Sequence, residues 1–348
     1  MKDVHAHIRE RLDFIERVGA SERYTIVPKK FVVKEVSQDG RGYLPFKEGE
    51  KRVFDGRLIT NRQGLAGRVF FLPYSVRDYD GTERFIEIKG YGADGREMCL
   101  WTHCDRDILF GMFYKNAKKE YDILKKAREA RLAVPVPLFV GQILREEWLR
   151  SGLRVADDLS GVYGAWDIER FSKDQRKLRR EITRRMRNKR HNILDLLSAF
   201  SQPDEAGVLG RAVISPLRMG DPSDKYELTE ENTGIARQCG ETFFRLIGLG
   251  FLHTCPGTGN WTEAGELTDM ADCYDLQNDA HLEGMISSKE HETGMDFWES
   301  LVDPYHTANL SPFFIEGMFG ERISIREAGQ ELKEKTLRKI RELRTTLS

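Results

Sequence analysis

The chain has 348 residues, 40% of them hydrophobic and 32% charged, with a formal net charge of -1. That length admits two unequal lobes around a cleft, and the composition fits a packed core with a well-solvated surface. A uniformly basic nucleic-acid binder is excluded, but a local basic strip is not. Residues 170–190 hold eleven Lys or Arg against two acidic residues, Asp174 and Glu181. Five cysteines (Cys99, Cys104, Cys239, Cys255 and Cys273) form no CxxC pair and do not read as a disulfide framework. Cys99, His103 and Cys104 match zinc spacing only weakly, so buried thiols are the simpler reading. The charged opening has no apolar signal segment, and no run reaches eighteen apolar residues. A reducing, cytoplasmic setting without a transmembrane segment is expected.

In chain order, Ile8, Leu12, Ile15 and Val18 share a stripe that predicts a helix over residues 4–18. From Tyr24 the period shortens to that of strands: YTIVP, KFVVKEV, RVFDGRLI, GRVFFLPYSV and RFIEIKGYG, with DYDG and ADG as turns. A helix is predicted over residues 107–131, with Phe113, Ala117, Tyr121 and Leu124 on one face. Pro135 and Pro137 then lead into the strand PLFVGQIL. Residues 144–210 read as a mainly helical basic insertion. AVISPL at 212–217 reads as a short buried strand, and residues 232–249 as a second clear helix. MDFWESLVDPY and SPFFIEGMF suggest helices and loops of a larger lobe, and the tail from Arg326 a charged helix. The expected divisions are an extension over 1–50, a small lobe over 51–143 and the insertion over 144–210. A larger lobe over 211–330 and a C-terminal helix over 331–348 complete them.

Several residue patterns carry chemistry. In GLAGRVFF, Gly64 and Gly67 would let backbone amides approach phosphates, although taken in isolation a hairpin glycine pair is the favoured account. Alternation along RFIEIK sets Phe85, Glu87 and Lys89 on one strand face, so Lys89 is a candidate cation for a cleft. An edge lysine facing water is the plainer account. Glu120, on the following helix, can orient that lysine, with Glu87 and Asp105 as substitutes. In FLHTCPGTGNWTEAGELTDMAD, His253 and Asn260 are seven apart. Asn260 offers an amide oxygen to a metal and Asp269 a carboxylate, with Asp272 as a rival. Turn stabilisation by Asx hydrogen bonds is the structural alternative for Asn260 and Asp269.

In this order the features resemble the protein-kinase-like superfamily. The resemblance covers about residues 55–275 and implies an α+β, two-lobed fold with an antiparallel sheet in the small lobe and a mainly helical large lobe. It implies ATP and Mg2+ as cofactors, with Gly64 and Gly67 over the phosphates and Lys89 contacting them. Glu120 would hold Lys89, and Asn260 and Asp269 would bind metal. His253 would prop its loop by hydrogen bonding.

The pattern departs from that family where it matters for proton transfer. Cys255 stands where a kinase places its catalytic Asp, and a thiol is a poor acceptor. Asp269 is followed by Met270 and Ala271, so the DFG sequence is absent. Three readings follow. One is phosphoryl transfer to a hydroxyl of a protein, peptide or small molecule, using Asp269, Asp272 or Asp275. The second is adenylyl transfer, since the loop is distantly similar to the selenoprotein-O AMP-transferase branch. The third is a nucleotide-binding pseudokinase or scaffold. The basic residues of 170–190 suit a polyanion such as RNA, an acidic protein or an anionic headgroup, without aromatic alternation for base stacking.

Overall fold

The computed structural model describes residues 9–10, 24–38, 52–61, 69–78, 80–90, 112–143, 206–215, 228–278, 297–303 and 309–345. The chain divides into two compact units. Residues 1–121 with 137–212 form the first, and residues 122–136 with 213–348 the second.

The first unit is built on strands β1 (Arg9–Glu10), β2 (Tyr24–Gln38), β3 (Arg52–Asn61), β4 (Val69–Arg77), β5 (Glu83–Lys89), β6 (Met112–Phe113), β7 (Val136–Ile143) and β8 (Ala206–Val213). The pairings run β4–β3–β2–β7–β8–β5 and return from β5 to β4, so six strands close a circuit. β1 attaches to β4, and β6 to β8. The β4–β5 register shifts between Phe71 and Ser75, around Pro73, which has no N–H to give to a ladder. The predicted turn is present, with the Gly81 amide donating to the Asp78 carbonyl at 2.9 Å. Phe70, Ile86, Ile88, Phe139, Val208 and Leu209 fill the interior.

Three expectations change here. Arg9 and Glu10, expected within a helix, instead pair with Ser75 and Tyr74; cross-strand hydrogen bonds outweigh the helical spacing of their neighbours, and the rest of 4–18 lies outside the described residues. Helix α1 spans Tyr114–Glu129 rather than 107–131, because Met112 and Phe113 pair with Gly207 and Ala206. β8 begins at Ala206, inside the stretch expected to be a helical insertion, because GVLGRAV is a buried run suited to a strand inside a sheet. Residues 144–205, including the basic run, lie outside the described residues, as do Gly64, Gly67, Cys99, Cys104 and Asp105.

The second unit is mainly helical. Its helices are α2 (Glu230–Gly248), α3 (Phe297–Val302), α4 (Ser311–Phe319) and α5 (Ile325–Thr345), with a hairpin of β9 (Phe251–His253) and β10 (Cys273–Asp275). α2 opens on Thr229, whose hydroxyl accepts from the Asn232 amide at 3.1 Å, with Glu230 and Glu231 placed well for the helix dipole. Its buried face includes Cys239, Phe243, Leu246 and Ile247. α2 and α4 cross almost backbone to backbone. A Cβ at Gly240 would lie 1.9 Å from the Phe314 carbonyl oxygen, and one at Gly317 2.0 Å from that of Arg237. The crossing lets the Phe314 ring reach Phe243 and Trp261, at 5.6 and 5.4 Å between centroids. α5 buries Ala328, Leu332 and Ile340 against the body of this unit. Among the described residues no helix is long and apolar enough to cross a membrane.

Candidate functional site

Strand β5 delivers Lys89, and helix α1 delivers Glu120. The Lys89 amine donates to Glu120 Oε2 at 2.8 Å. The other oxygen, Oε1, accepts from Arg211 Nη1 on β8 at 2.5 Å. Arg211 Nε in turn donates to Glu87 Oε1, two residues before Lys89 on β5. These four charges are nearly dry: Glu87 and Glu120 are 0% exposed, Arg211 1% and Lys89 8%. Two cations and two carboxylates cancel, which is what makes such burial tolerable. The two acids expected to compete for Lys89 therefore divide the work, Glu120 taking the lysine and Glu87 the arginine.

Val69, two residues after Gly67 in sequence, is the cross-strand partner of Lys89. The strand that follows the glycine pair thus runs beside the lysine. Ile86 and Ile88, on the opposite face of β5, are fully buried. Lys89 lies on a strand packed on both faces, so it is not an edge residue facing water.

The second unit carries the other candidates on the segment between β9 and β10. His253 is fully buried. Its Nδ1 accepts from the Cys255 amide at 3.1 Å, so Nε2 carries the proton and donates to the Thr268 carbonyl at 3.0 Å. Both nitrogens are thereby engaged with backbone, and the ring acts as a brace. Asn260 Nδ2 donates to the Cys255 carbonyl at 2.7 Å, which leaves Oδ1 as the atom it can offer to a cation. The hairpin from Asn260 to Thr268 is closed by the Trp261–Leu267 bridge. It turns at Gly265, whose φ of 76° is in the left-handed region. Glu266, at the exit of this turn, is buried and accepts from the Ile214 amide at 2.6 Å.

Asp269 follows with φ 63° and ψ 41°. Left-handed backbone costs a residue with a Cβ about 1–2 kcal/mol, somewhat less for Asp and Asn. Strain of this kind accumulates where a side chain is held for a task. A 3-10 turn over Met270–Asp272 comes next; the Asp272 side chain lies outside what the structure describes. Asp275 is engaged differently, its two oxygens accepting from the Gln277 amide and the Asn278 side chain at 2.9 and 3.0 Å. As a turn cap it is a poor choice for a proton acceptor. Cys255 is exposed, whereas Cys239 and Cys273 are buried.

Among the described residues no group of three or more His, Cys, Asp or Glu side chains is arranged to hold a metal. One amide oxygen and one carboxylate, if brought together, would suit Mg2+, which keeps several waters and takes the rest of its shell from phosphate oxygens.

No family model and no curated protein matches the chain. Among solved structures it is similar to the Rio2 kinase–ADP/Mg2+–phosphoaspartate complex from Chaetomium thermophilum. The similarity has 11% identity and a TM-score of 0.31, over 81% of this chain and 70% of that one. This likeness is coarse.

Sequence reasoning passed over Arg211. Its partners Glu87 and Glu120 are 124 and 91 residues away in sequence, so no local spacing links them. The available signal was an arginine inside the apolar run GVLGRAVI, a position where a buried cation needs a buried anion.

Proposed function

We propose that the chain is an ATP- and Mg2+-dependent, kinase-like transferase that moves the terminal phosphoryl group to a hydroxyl of a protein, peptide or small molecule. The observation that carries this reading is the buried Lys89–Glu120 bond at 2.8 Å. A buried lysine oriented by a carboxylate is the kind of cation that can bridge phosphate oxygens. Asn260 Oδ1 and the Asp269 carboxylate would hold the magnesium, which neutralises phosphate charge. Gly64 and Gly67 would lie over the phosphates. The acceptor oxygen would attack the terminal phosphorus, the bond to the bridging oxygen would break, and ADP would leave. The hydroxyl proton would pass to Asp269, Asp272 or water, because the Cys255 thiol accepts protons poorly. Positioning and cations, rather than a strong base, would supply most of the rate. The basic run from Arg170 to Arg190 would serve as a polyanion contact. A cytoplasmic setting fits a consumer of ATP.

The test is incubation of the full chain with dephosphorylated casein and ATP labelled at either the alpha or the gamma phosphate, beside Asp269→Asn. Gamma label in the chain or in casein, lost in the variant, is the expected result. Alpha label in the product would replace this reading with adenylyl transfer. ATP bound tightly with neither label transferred to any acceptor offered would favour a scaffold.

A further inference from the structure

Arg211 does more than neutralise a buried acid, because of where its fork ends. It rises from β8 and reaches Glu120 on α1 and Glu87 on β5. Lys89 reaches Glu120 from β5. Glu120 is therefore held at both oxygens by cations from two different strands. If Lys89 were its sole partner, an arriving polyphosphate would compete for that amine, and the lysine–carboxylate pair would form or break with ligand. With Arg211 present, withdrawal of α1 from the sheet strands Glu120 and breaks its buried charged bond to Arg211, whatever Lys89 is doing.

We infer that Arg211 is a positioning residue that keeps the Glu120 segment of α1 docked and Lys89 aimed before any ligand arrives, so that this lysine site is built in advance rather than assembled by its nucleotide. The functional meaning rests on the reading of Lys89 as a phosphate contact; the docking itself does not. Electrostatics supports the assignment. Among the described residues Glu87, Glu120, Lys89 and Arg211 pair two charges of each sign, which is what lets them be buried together. The geometry also assigns different duties to the two cations. Arg211 offers a planar fork suited to bridging two carboxylates, and Lys89 is a compact point charge on a flexible stem.

Hydrogen exchange of the full chain decides the matter, with wild type set beside the double variant Glu87→Gln/Arg211→Met. That variant removes one charge of each sign and leaves Lys89–Glu120 as a neutral pair. Without nucleotide, amides of residues 114–121 are expected to exchange at least tenfold faster in the double variant, while those of α5 are unchanged. In wild type, saturating Mg-ATP is expected to leave residues 114–121 as they were; in the double variant it is expected to slow them. Equal exchange in the two proteins without nucleotide would overturn the inference, and so would slowing in wild type on adding Mg-ATP. Should the double variant fail to fold, Arg211→Lys, which keeps the charge but not the fork, is judged by the same comparison. Equilibrium dialysis separates the two claims. Absence of Mg-ATP binding to wild type would sink the phosphate reading, while the nucleotide-free comparison still decides the role of Arg211.

Discussion

The carbonyl oxygen of Asn260 takes two hydrogen bonds from Thr268, one from its amide at 2.7 Å and one from its hydroxyl at 2.9 Å. Because Thr268 precedes Asp269, this double contact ties the amide ligand candidate to the carboxylate candidate through a single buried residue. Thr268→Val keeps the shape and the amide bond but deletes the hydroxyl. It should cost about 1 kcal/mol in urea unfolding. If Asn260 and Asp269 share a magnesium ion, the Mg2+ concentration for half-maximal ATP turnover should also rise several-fold. A stability loss with an unchanged magnesium requirement would separate this hairpin from metal binding.

Truncations within the buried cluster should differ in cost. Glu120→Ala removes the carboxylate bonded to both Lys89 and Arg211, leaving Arg211 its bond to Glu87, and is expected to lose about 3–5 kcal/mol of stability. Lys89→Met keeps Glu120 bonded to Arg211 but leaves the cluster one negative charge in excess, and should lose somewhat less, about 1–3 kcal/mol, while nucleotide binding disappears. Chemical denaturation of both variants, with ATP affinity by calorimetry, checks the contrast. Similar stability losses would mean that Arg211 does not support Glu120 independently.

Asp269 offers a test of whether its left-handed backbone is kept for the carboxylate. Both Asp269→Ala and Asp269→Gly should abolish magnesium-dependent turnover. Only alanine should keep the conformational penalty, so the glycine variant should be the more stable of the two by roughly 1 kcal/mol. Thermal unfolding ranks them. Turnover surviving in either variant would remove Asp269 from the metal site.

The α2–α4 crossing predicts a purely structural defect. Gly240→Ala puts a methyl group 1.9 Å from the Phe314 carbonyl oxygen. Backbone on both sides leaves no side chain to swing away. The helices must separate, at a cost of about 3 kcal/mol or more. A fall in thermal midpoint beside an equal or raised midpoint in Gly234→Ala, where the added Cβ meets nothing within 4 Å and alanine is the better helix former, would confirm that the contact is responsible.

Lys335 on α5 should impose a pH dependence of defined sign. Burial, with the Arg338 charge adding to it, lowers its amine to about 8, against about 10.4 in an unfolded chain. The face of Phe244, with its centroid 3.0 Å from Nζ, offsets part of this penalty. Between those two values the unfolded chain binds more protons than the folded one, so stability from this group rises with pH. Below about 8 the penalty is present in full. Lys335→Met should therefore be more stable than wild type at pH 7, with the gap closing as the pH approaches about 10.4. A gap that stays constant across that range would count against the assignment.

The parts of the fold legible in the sequence were those governed by neighbours along the chain. The helical stripe from Ile235 to Ile247 gave α2 nearly to its ends, and SPFFIEGMF gave α4. Lys89 and Glu120 could be paired in advance because a strand and the helix after it bring them together across only 31 positions. Where long-range pairing decides the outcome, local pattern misleads. The spacing around Arg9 reads as helix, yet Arg9 and Glu10 pair with β4. Residues 206–211 follow a basic stretch and read as its continuation, yet they form a strand whose arginine completes the charge cluster. The candidate roles of Asn260 and Asp269 are what the resemblance of their segment to the protein-kinase-like superfamily implies. The bracing of their hairpin by His253 and Thr268 depends on hydrogen-bond directions that no spacing contains.

The zero sum of the buried charges carries an evolutionary consequence. Glu87, Glu120, Lys89 and Arg211 form a ledger in which a single replacement leaves one sign in excess without solvent to answer it. Descendants of this chain are therefore expected to lose these side chains two at a time, an acid together with a base. A lineage that has exchanged Arg211 for an aliphatic residue should also have given up Glu87 or Glu120.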